Sequence, residues 1–426
     1  MTPILLQVNG ADLFCIRTDR FKGEHFSLRL VLPLEKSTVQ QNSLLTSVLG
    51  CGTVNYPTKL QLNRRLDELY STGISARNQR TGDMQVIGFS CDLLGARYTD
   101  GGKGILPDVL DVLAELCYRP LLPDGVFRAD YLENEKENLR DGIRAAINNP
   151  RSYAMSKCRK LLCAGEPYAL SLIGGESTLG EITPETLTAR YQAAFEGCVP
   201  TFFYVGATPP EEVAAMIAHS FPKFKGVKHP YFATVRKWEG ESACAQEEMP
   251  LCQGKLSIGF RTDVCLGHPL APATVLLNEI FGATPASKLF LNVREKRSLC
   301  YHCSSVLDLY KGVMMANAGM TPENRAVTEE AMLAEFDALS KGCISDTEFE
   351  AAQRSLAHAY RQVYDNPAAL ASFYAGRAVA GNRDSVEDFR RAVASVTKEQ
   401  VMEAAAHVTK GATFFLKGTL AEEDEE

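Results

Sequence analysis

The chain has 426 residues, of which 45% are hydrophobic, 23% are charged and only 20 are proline, enough apolar material for ordinary buried cores and no match to a disordered composition. At about 150 residues per domain, this length predicts two to three domains. A formal charge of −7 and a pI near 5.7 exclude a general affinity for nucleic acid, which needs a clustered positive surface, and leave room only for a local basic groove.

Met1-Thr-Pro-Ile-Leu-Leu-Gln-Val-Asn-Gly10 carries no basic stretch followed by a long apolar run, and no apolar run of about 18 residues occurs anywhere. A cytoplasmic location without membrane insertion is therefore expected. From His25 to Leu34, Phe26, Leu28, Leu30, Leu32 and Leu34 fall on one side, the alternation of a half-buried strand. Gln41 to Leu49 predicts a helix, apolar at Leu44, Leu45, Val48 and Leu49 and stopped by Gly50 and Gly52. A second helix over Leu60 to Tyr70 and a strand over Met84 to Leu94 follow. Asp100-Gly-Gly-Lys-Gly104 predicts a turn, because Arg97 and Gly104 stand where a phosphate loop needs its first glycine and its Ser or Thr. A long helix over Tyr131 to Asn148 leads to Asn149-Pro150; Thr183-Pro184-Glu185 opens a helix with a cap, a first-turn proline and an acid; and Phe202 to Val205 is a continuous apolar strand.

The second half repeats this plan. Lys255 to Phe260 is a strand, Ala273 to Phe281 a helix stopped at Gly282, Ser287 to Lys296 a second helix and Gly312 to Ala318 a strand. Thr347 to Tyr364 is the long helix, Thr397-Lys-Glu-Gln400 a capping box and Phe414 to Leu416 the apolar strand. Asn149-Pro150, Ile182-Thr-Pro-Glu and Thr201-Phe-Phe-Tyr-Val-Gly206 return in order as Asn366-Pro367, Val396-Thr-Lys-Glu and Thr413-Phe-Phe-Leu-Lys-Gly418, which implies duplication. The expected domains are 1–220 and 253–420, joined by an exposed connection over 221–252 and followed by an acidic, solvated tail over 421–426.

Most familiar chemistry fails on inspection. No G-x-S-x-G elbow occurs. The 13 cysteines are odd in number and scattered, which suits reduced thiols used as small core residues. Cys300-Tyr-His-Cys303 has no second pair to complete a zinc site, and residues three apart in a strand face opposite ways, so these thiols are not expected to converge. His25, His219, His229, His268, His302, His358 and His407 include no pair at i, i+4 spacing, so the usual zinc helix is absent. Arg294 and Tyr301 remain. A guanidinium fork suits a carboxylate or a peptide carbonyl, and a phenol can donate to an oxyanion, but neither hydrolyses a peptide alone. Spacing by itself favours a surface ion pair plus a buried tyrosine over function.

Ala286-Ser-Lys-Leu-Phe-Leu-Asn-Val-Arg-Glu-Lys-Arg-Ser-Leu-Cys-Tyr301, followed by Asn317-Ala-Gly-Met-Thr-Pro-Glu323, resembles the arginine and tyrosine signature of the pitrilysin/insulinase metallopeptidases, with Ser298 where that family usually has glycine. The resemblance implies an α+β fold of two homologous α/β sandwich domains, each a mixed sheet with helices packed on it, forming half of a clamshell. The other half would bring a zinc helix of pattern H-x-x-E-H, with Arg294 and Tyr301 reaching into the shared chamber to hold the substrate. On the same resemblance Asn42 and Thr46 replace the two zinc histidines and Leu45 the general base, while Glu135 matches a family acid and Gly142 replaces the third ligand. The chain looks most like the zinc-less bacterial branch associated with aminopentanol modification of elongation factor P.

Two functions from different classes follow. In the first, the chain has no cofactor of its own and is inactive alone; it serves a zinc-bearing sister chain by binding a peptide or unfolded protein and stabilising the transition state, with a homodimer open to it when isolated. In the second it is a non-enzymatic peptide-binding or assembly scaffold, which has no use for an oxyanion donor. An independent zinc peptidase fails at Asn42 and Thr46.

Overall fold

Two mixed sheets organise residues 1–420, the span described by the computed structural model; the acidic run 421–426 lies outside the described residues. The first sheet contains β1 (Ile4–Val8), β2 (Ala11–Arg17), β3 (Gly23–Pro33), β4 (Gly73–Thr81), β5 (Met84–Leu94) and β6 (Thr201–Gly206), in the order β1-β2-β6-β3-β5-β4. The second contains β7 (Ala243–Met249), β8 (Gly254–Arg261), β9 (His302–Asp308), β10 (Val313–Met320) and β11 (Thr409–Gly418), in the order β7-β11-β8-β10-β9. Leaving out β1, the two orders coincide position by position. Even the one parallel pair recurs, β2 with β6 and β7 with β11. The fold is thus mixed α and β in two similar domains, and the repeat seen in sequence is a repeat of topology.

Local chemistry explains the elements. On β3, Phe26, Leu28 and Leu30 are fully buried against α1 (Val39–Leu49), α3 (Leu106–Tyr118) and the helix Pro184–Tyr191. Between them α2 (Lys59–Glu68) starts on a capping box from Thr58 to Gln61. The hairpin from β1 to β2 turns at Asn9 and Gly10, both at positive φ, as a two-residue turn matching strand twist requires. In the second sheet Leu256, Ile258 and Phe260 face the helices Ala271–Asn278 and Arg325–Ser340. Thr183 and Thr397 both cap their helices reciprocally. Ala243–Met249, inside the expected connection, is a strand paired in register with Ala412–Gly418.

The compact units are not contiguous in sequence. One comprises Met1–Arg144, Leu170–Phe232 and Val363–Ser385; the other comprises Ala145–Ala169, Ala233–Gln362 and, among the described residues, 386–420. The helix Pro367–Val379 therefore belongs with the first sheet, and α5 (Pro150–Leu162), which follows α4 (Ala129–Ala145), belongs with the second. The two Asn-Pro dipeptides start these helices: Asn149 Oδ1 accepts from Ser152 N, Asn366 Oδ1 accepts from Ala369 N, each at 3.0 Å, and each proline takes the first helical position. Because these helices cover the second face of each sheet, Phe202–Val205 and Phe414–Leu416 are buried on both sides. Beneath α5, Glu166 bonds Arg261 and accepts from Lys311 Nζ at 2.7 Å, all three side chains no more than 3% exposed. No helix among the described residues is long and apolar enough to cross a membrane.

Candidate functional site

In the second unit the helix Ala271–Asn278 widens into a π-helical turn over Glu279–Ala283, and Leu289–Lys296 is itself π-helical. Such widened turns are rare and recur at functional sites. Leu289 and Val293 anchor the second of them in the core, fully buried, which turns Arg294 outward. The helix then ends on Ser298 at φ +52°, with Ser298 N donating to Arg294 O at 3.1 Å and Leu299 N to Val293 O at 3.2 Å. That left-handed position is the one glycine fills without strain, which accounts physically for the glycine expected there. Two residues later Tyr301 N donates to Gly319 O at 2.8 Å and the chain joins the sheet.

Arg294 and Tyr301 line one cavity of about 420 Å³, shared with Ser298, Cys300, Thr321 and Asn324. The Arg294 side chain is 38% exposed, its Nε 3.7 Å from Glu295 Oε1 and its guanidinium 4.5 Å above the Phe290 ring. Tyr301 is 48% exposed. The bland reading therefore fails in half: Arg294 does have a loose surface ion pair, of the kind worth under about 1 kcal/mol, but Tyr301 is not a core tyrosine. What the arrangement offers chemically is a guanidinium fork and a phenol facing the same space.

The thiols of Cys300 and Cys303 do converge, contrary to the expectation from strand alternation. They share a hydrogen bond that pulls Cys300 below the usual thiol range against the opposing effect of burial, with Arg294 assisting, and that pushes Cys303 up. The physical reason is that Cys300 precedes β9, so alternation does not govern it, and both sulfurs point into the unit's core.

The first unit holds the helix on which the resemblance puts the lost zinc ligands. Asn42, Leu45 and Thr46 on α1 are all buried, at 0%, 0% and 3% exposure. Asn42 Nδ2 donates to Gln85 Oε1 at 2.7 Å, Arg190 Nε donates to Asn42 Oδ1 at 2.6 Å, and Thr46 Oγ1 bonds back to Ser43 O at 3.2 Å. Burial holds the Arg190 guanidinium below its usual range; a guanidinium in a protein is effectively always protonated. An amide, an alkyl chain and a hydroxyl, already committed and with a cation at the amide, do not fit a catalytic zinc, which needs three nitrogen, sulfur or carboxylate ligands and an open position. Glu135 is engaged elsewhere: Lys59 Nζ donates to it at 2.7 Å and Asn138 at 3.2 Å, which together hold its carboxyl below the usual value although burial would raise it. A side chain at Gly142 would meet nothing within 4 Å. Among the described residues no group of three or more His, Cys, Asp and Glu is placed to hold a metal.

Sequence reasoning did not single out Arg190, which lies 148 positions from Asn42, nor the cations Arg151 and Lys255 near His302. No local pattern marks either: helix packing brings Arg190 to Asn42, strand register sets Lys255 in line with His302, and Arg151 comes from the first turn of α5.

The chain is similar to known proteins along nearly its whole length. A family model described as "Peptidase M16 inactive domain" matches residues 181–356. The chain is 30% identical over 421 residues, covering 96% of both sequences, to the "Probable inactive metalloprotease YmfF" of Bacillus subtilis (strain 168). It is similar to the crystal structure of a conserved protein from Enterococcus faecalis V583, with a TM-score of 0.90 and 25% identity over 98% of this chain and 99% of that one. It also shares the fold of a peptidase M16 inactive domain from Pseudomonas fluorescens, with a TM-score of 0.80 and 21% identity over 99% of each chain. With a relative this similar along nearly its whole length, the chain belongs to the peptidase M16 family, among its inactive members.

Proposed function

We propose that this chain is the zinc-less subunit of a two-chain pitrilysin-type peptidase, working in the cytoplasm and forming half of a clamshell completed by a zinc-bearing sister. Hydrolysis belongs to the sister. This chain holds an extended peptide or unfolded segment by the Arg294 guanidinium and donates the Tyr301 hydroxyl to the oxyanion that develops when the scissile carbonyl is attacked. The observation that carries the reading is that Arg294 and Tyr301 are both exposed to one cavity, on a helix end whose left-handed residue and widened turns fix their positions. A domain used only to hold other chains together has no need of a phenol aimed into a cleft.

Mixing tests the assembly. Peptidase activity should appear only when this chain and its zinc-bearing sister are combined, and the two should co-elute on size exclusion. If no zinc-bearing M16 chain of the same organism associates with it, the scaffold function replaces this one.

A further inference from the structure

Within the first unit, α3 lines a cavity of about 700 Å³, closed on its other sides by α2, by Asn55 and Tyr56, and by the end of the helix Pro210–Ser220. Asp108, Asp111 and Glu115 stand at i, i+3 and i+7 on α3, so one face of that helix brings three carboxylates to the cavity. Their oxygens are not used equally. Asp108 Oδ1 accepts from Arg65 Nη2 at 2.6 Å, and Asp111 Oδ1 accepts from the neutral Ser220 hydroxyl at 2.6 Å. Glu115 Oε1 takes two bonds, from Asn55 Nδ2 and Arg119 Nη1, each at 2.9 Å. Glu115 Oε2 is buried and has no hydrogen-bond partner among the described residues, on a side chain only 9% exposed.

One helical turn on, the Tyr118 hydroxyl lines the same cavity and is likewise buried without a partner. Its ring meets Phe195, Phe221 and Phe224 at centroid distances of 6.3, 6.0 and 5.7 Å, which holds the phenol in place. Burial pushes the phenol well above its usual pKa, so it keeps its proton near pH 7. Buried polar atoms left unpaired cost stability, and a carboxylate oxygen can be satisfied only by a donor.

Electrostatics select a cationic donor. Three carboxylates face two guanidiniums, and α3 and Pro210–Ser220 both end at the cavity, each bringing the partial negative charge of a helix C-terminus. A metal ion does not fit, because among the described residues no three His, Cys, Asp or Glu are placed to hold one. Arg119 already displays the chemistry: from a side chain 69% exposed it reaches in to Glu115, and so exposed a cation is readily exchanged for another.

We propose that this cavity binds an alkylammonium group, carried by a small organic amine or by a lysine side chain, with Glu115 Oε2 and the Tyr118 hydroxyl oxygen accepting from its N–H groups. The ligand displaces Arg119. A compact ammonium has three donors that can turn to both acceptors, while Val112 and Phe221 offer apolar surface to the alkyl stem.

The test titrates the full chain calorimetrically with butylammonium, butyltrimethylammonium and butanol, and with a capped lysine pentapeptide set against its acetyl-lysine form. Butylammonium or the lysine peptide should bind about tenfold tighter than its control, the scale of a charged hydrogen bond. Butyltrimethylammonium keeps the charge but cannot donate, so it should bind no better than butanol. A preference seen with butylammonium alone assigns the site to small amines; one seen with the peptide alone assigns it to polypeptide lysines. Glu115→Gln should remove most of the preference. Tyr118→Phe, which keeps the ring, should weaken it about threefold or more, and Arg119→Gln should strengthen it, which the loss of a merely structural ion pair would not do. If Glu115→Gln fails to fold by circular dichroism, the other two variants decide. Equal affinity for every probe and its control overturns the site and leaves water as the partner of both buried atoms; so does a preference that neither Glu115→Gln nor Tyr118→Phe reduces. Binding is read on the chain alone, so no result here touches the two-chain reading, which stands or falls on the activity of the mixed chains.

Discussion

Arg190 Nε donates to Asn42 Oδ1 at 2.6 Å while Asn42 Nδ2 donates to Gln85 Oε1 at 2.7 Å, so both ends of this fully buried amide are used. On the family resemblance Asn42 replaces a zinc-binding imidazole. If so, the loss is more than a missing ligand: a guanidinium now stands against that position, and a divalent cation placed there would meet a fixed positive charge in a medium of low dielectric constant.

The first prediction follows. Asn42→His, Leu45→Glu and Thr46→His introduced together should not give stoichiometric zinc binding, and should destabilise the chain, because Leu45→Glu buries a carboxylate among Leu44, Leu49 and their neighbours. Metal analysis after dialysis, with urea unfolding alongside, checks both. One tightly bound zinc per restored chain would show that Arg190 is no obstacle.

Ser298 stands at φ +52°, a conformation that costs a non-glycine residue on the order of 1–2 kcal/mol. Ser298→Gly should relieve this, partly offset by the greater freedom of glycine in the unfolded chain, for a net gain of about 0.5–1 kcal/mol. Ser298→Val should lose a similar amount or more. Denaturant midpoints of the three proteins give the order Gly, Ser, Val; any other order contradicts the strain.

The buried Glu166 faces two cations, Arg261 and Lys311. Glu166→Gln removes the negative charge and leaves both of them under α5 without it, so the variant should lose about 3–5 kcal/mol, the scale for breaking a buried ion pair. Urea unfolding monitored at Trp238, which belongs to the same unit, reads this directly. A loss under about 1 kcal/mol would mean that water reaches the cluster.

His302 links stability to pH. Its folded value is pushed down to about 4 against an unfolded value of roughly 6.5. Between these values the unfolded chain binds more protons, so stability rises with pH. The penalty is absent above about pH 6.5, grows as pH falls and is complete below about 4. His302→Gln should flatten the dependence of the urea midpoint across that window relative to wild type, and an NMR titration of the ring should show no inflection near 6.5 in the folded protein.

Much of this architecture was legible in sequence wherever the signal was local. The apolar face of α1, the caps at Thr183 and Thr397 and the two Asn-Pro starts all depend on residues a few positions apart, and they fold as read; the alternation Phe26 to Leu32 does form a strand, but His25, Ser27 and Arg29 on its other face are buried as well, so β3 is not the half-buried strand expected. Asn9-Gly10 is also a local signal, and it marks the β1–β2 hairpin that the sequence reading passed over. What could not be read is set by tertiary packing. Ala243–Met249 is polar and alternates only weakly, so it looks like an exposed connection until β11 gives it a parallel partner. The covering of each sheet by a helix from the other sequence half leaves no trace in periodicity. At the candidate site the residue types were visible, but the exposure of Tyr301 and the meeting of Cys300 with Cys303 depend on where the widened helix ends and β9 begins.

The central claim is that Tyr301 acts on the chemistry of a partner. Tyr301→Phe removes one hydroxyl and keeps the ring. Turnover of the assembled pair, measured with wild-type and Tyr301→Phe chains at saturating peptide, should fall by about 10²–10³, the loss expected for an oxyanion donor, while association of the two chains is unchanged. Arg294→Ala should act more on KM, because a guanidinium on the substrate backbone contributes in both ground and transition states. A Tyr301→Phe pair that turns over at the wild-type rate would contradict the account.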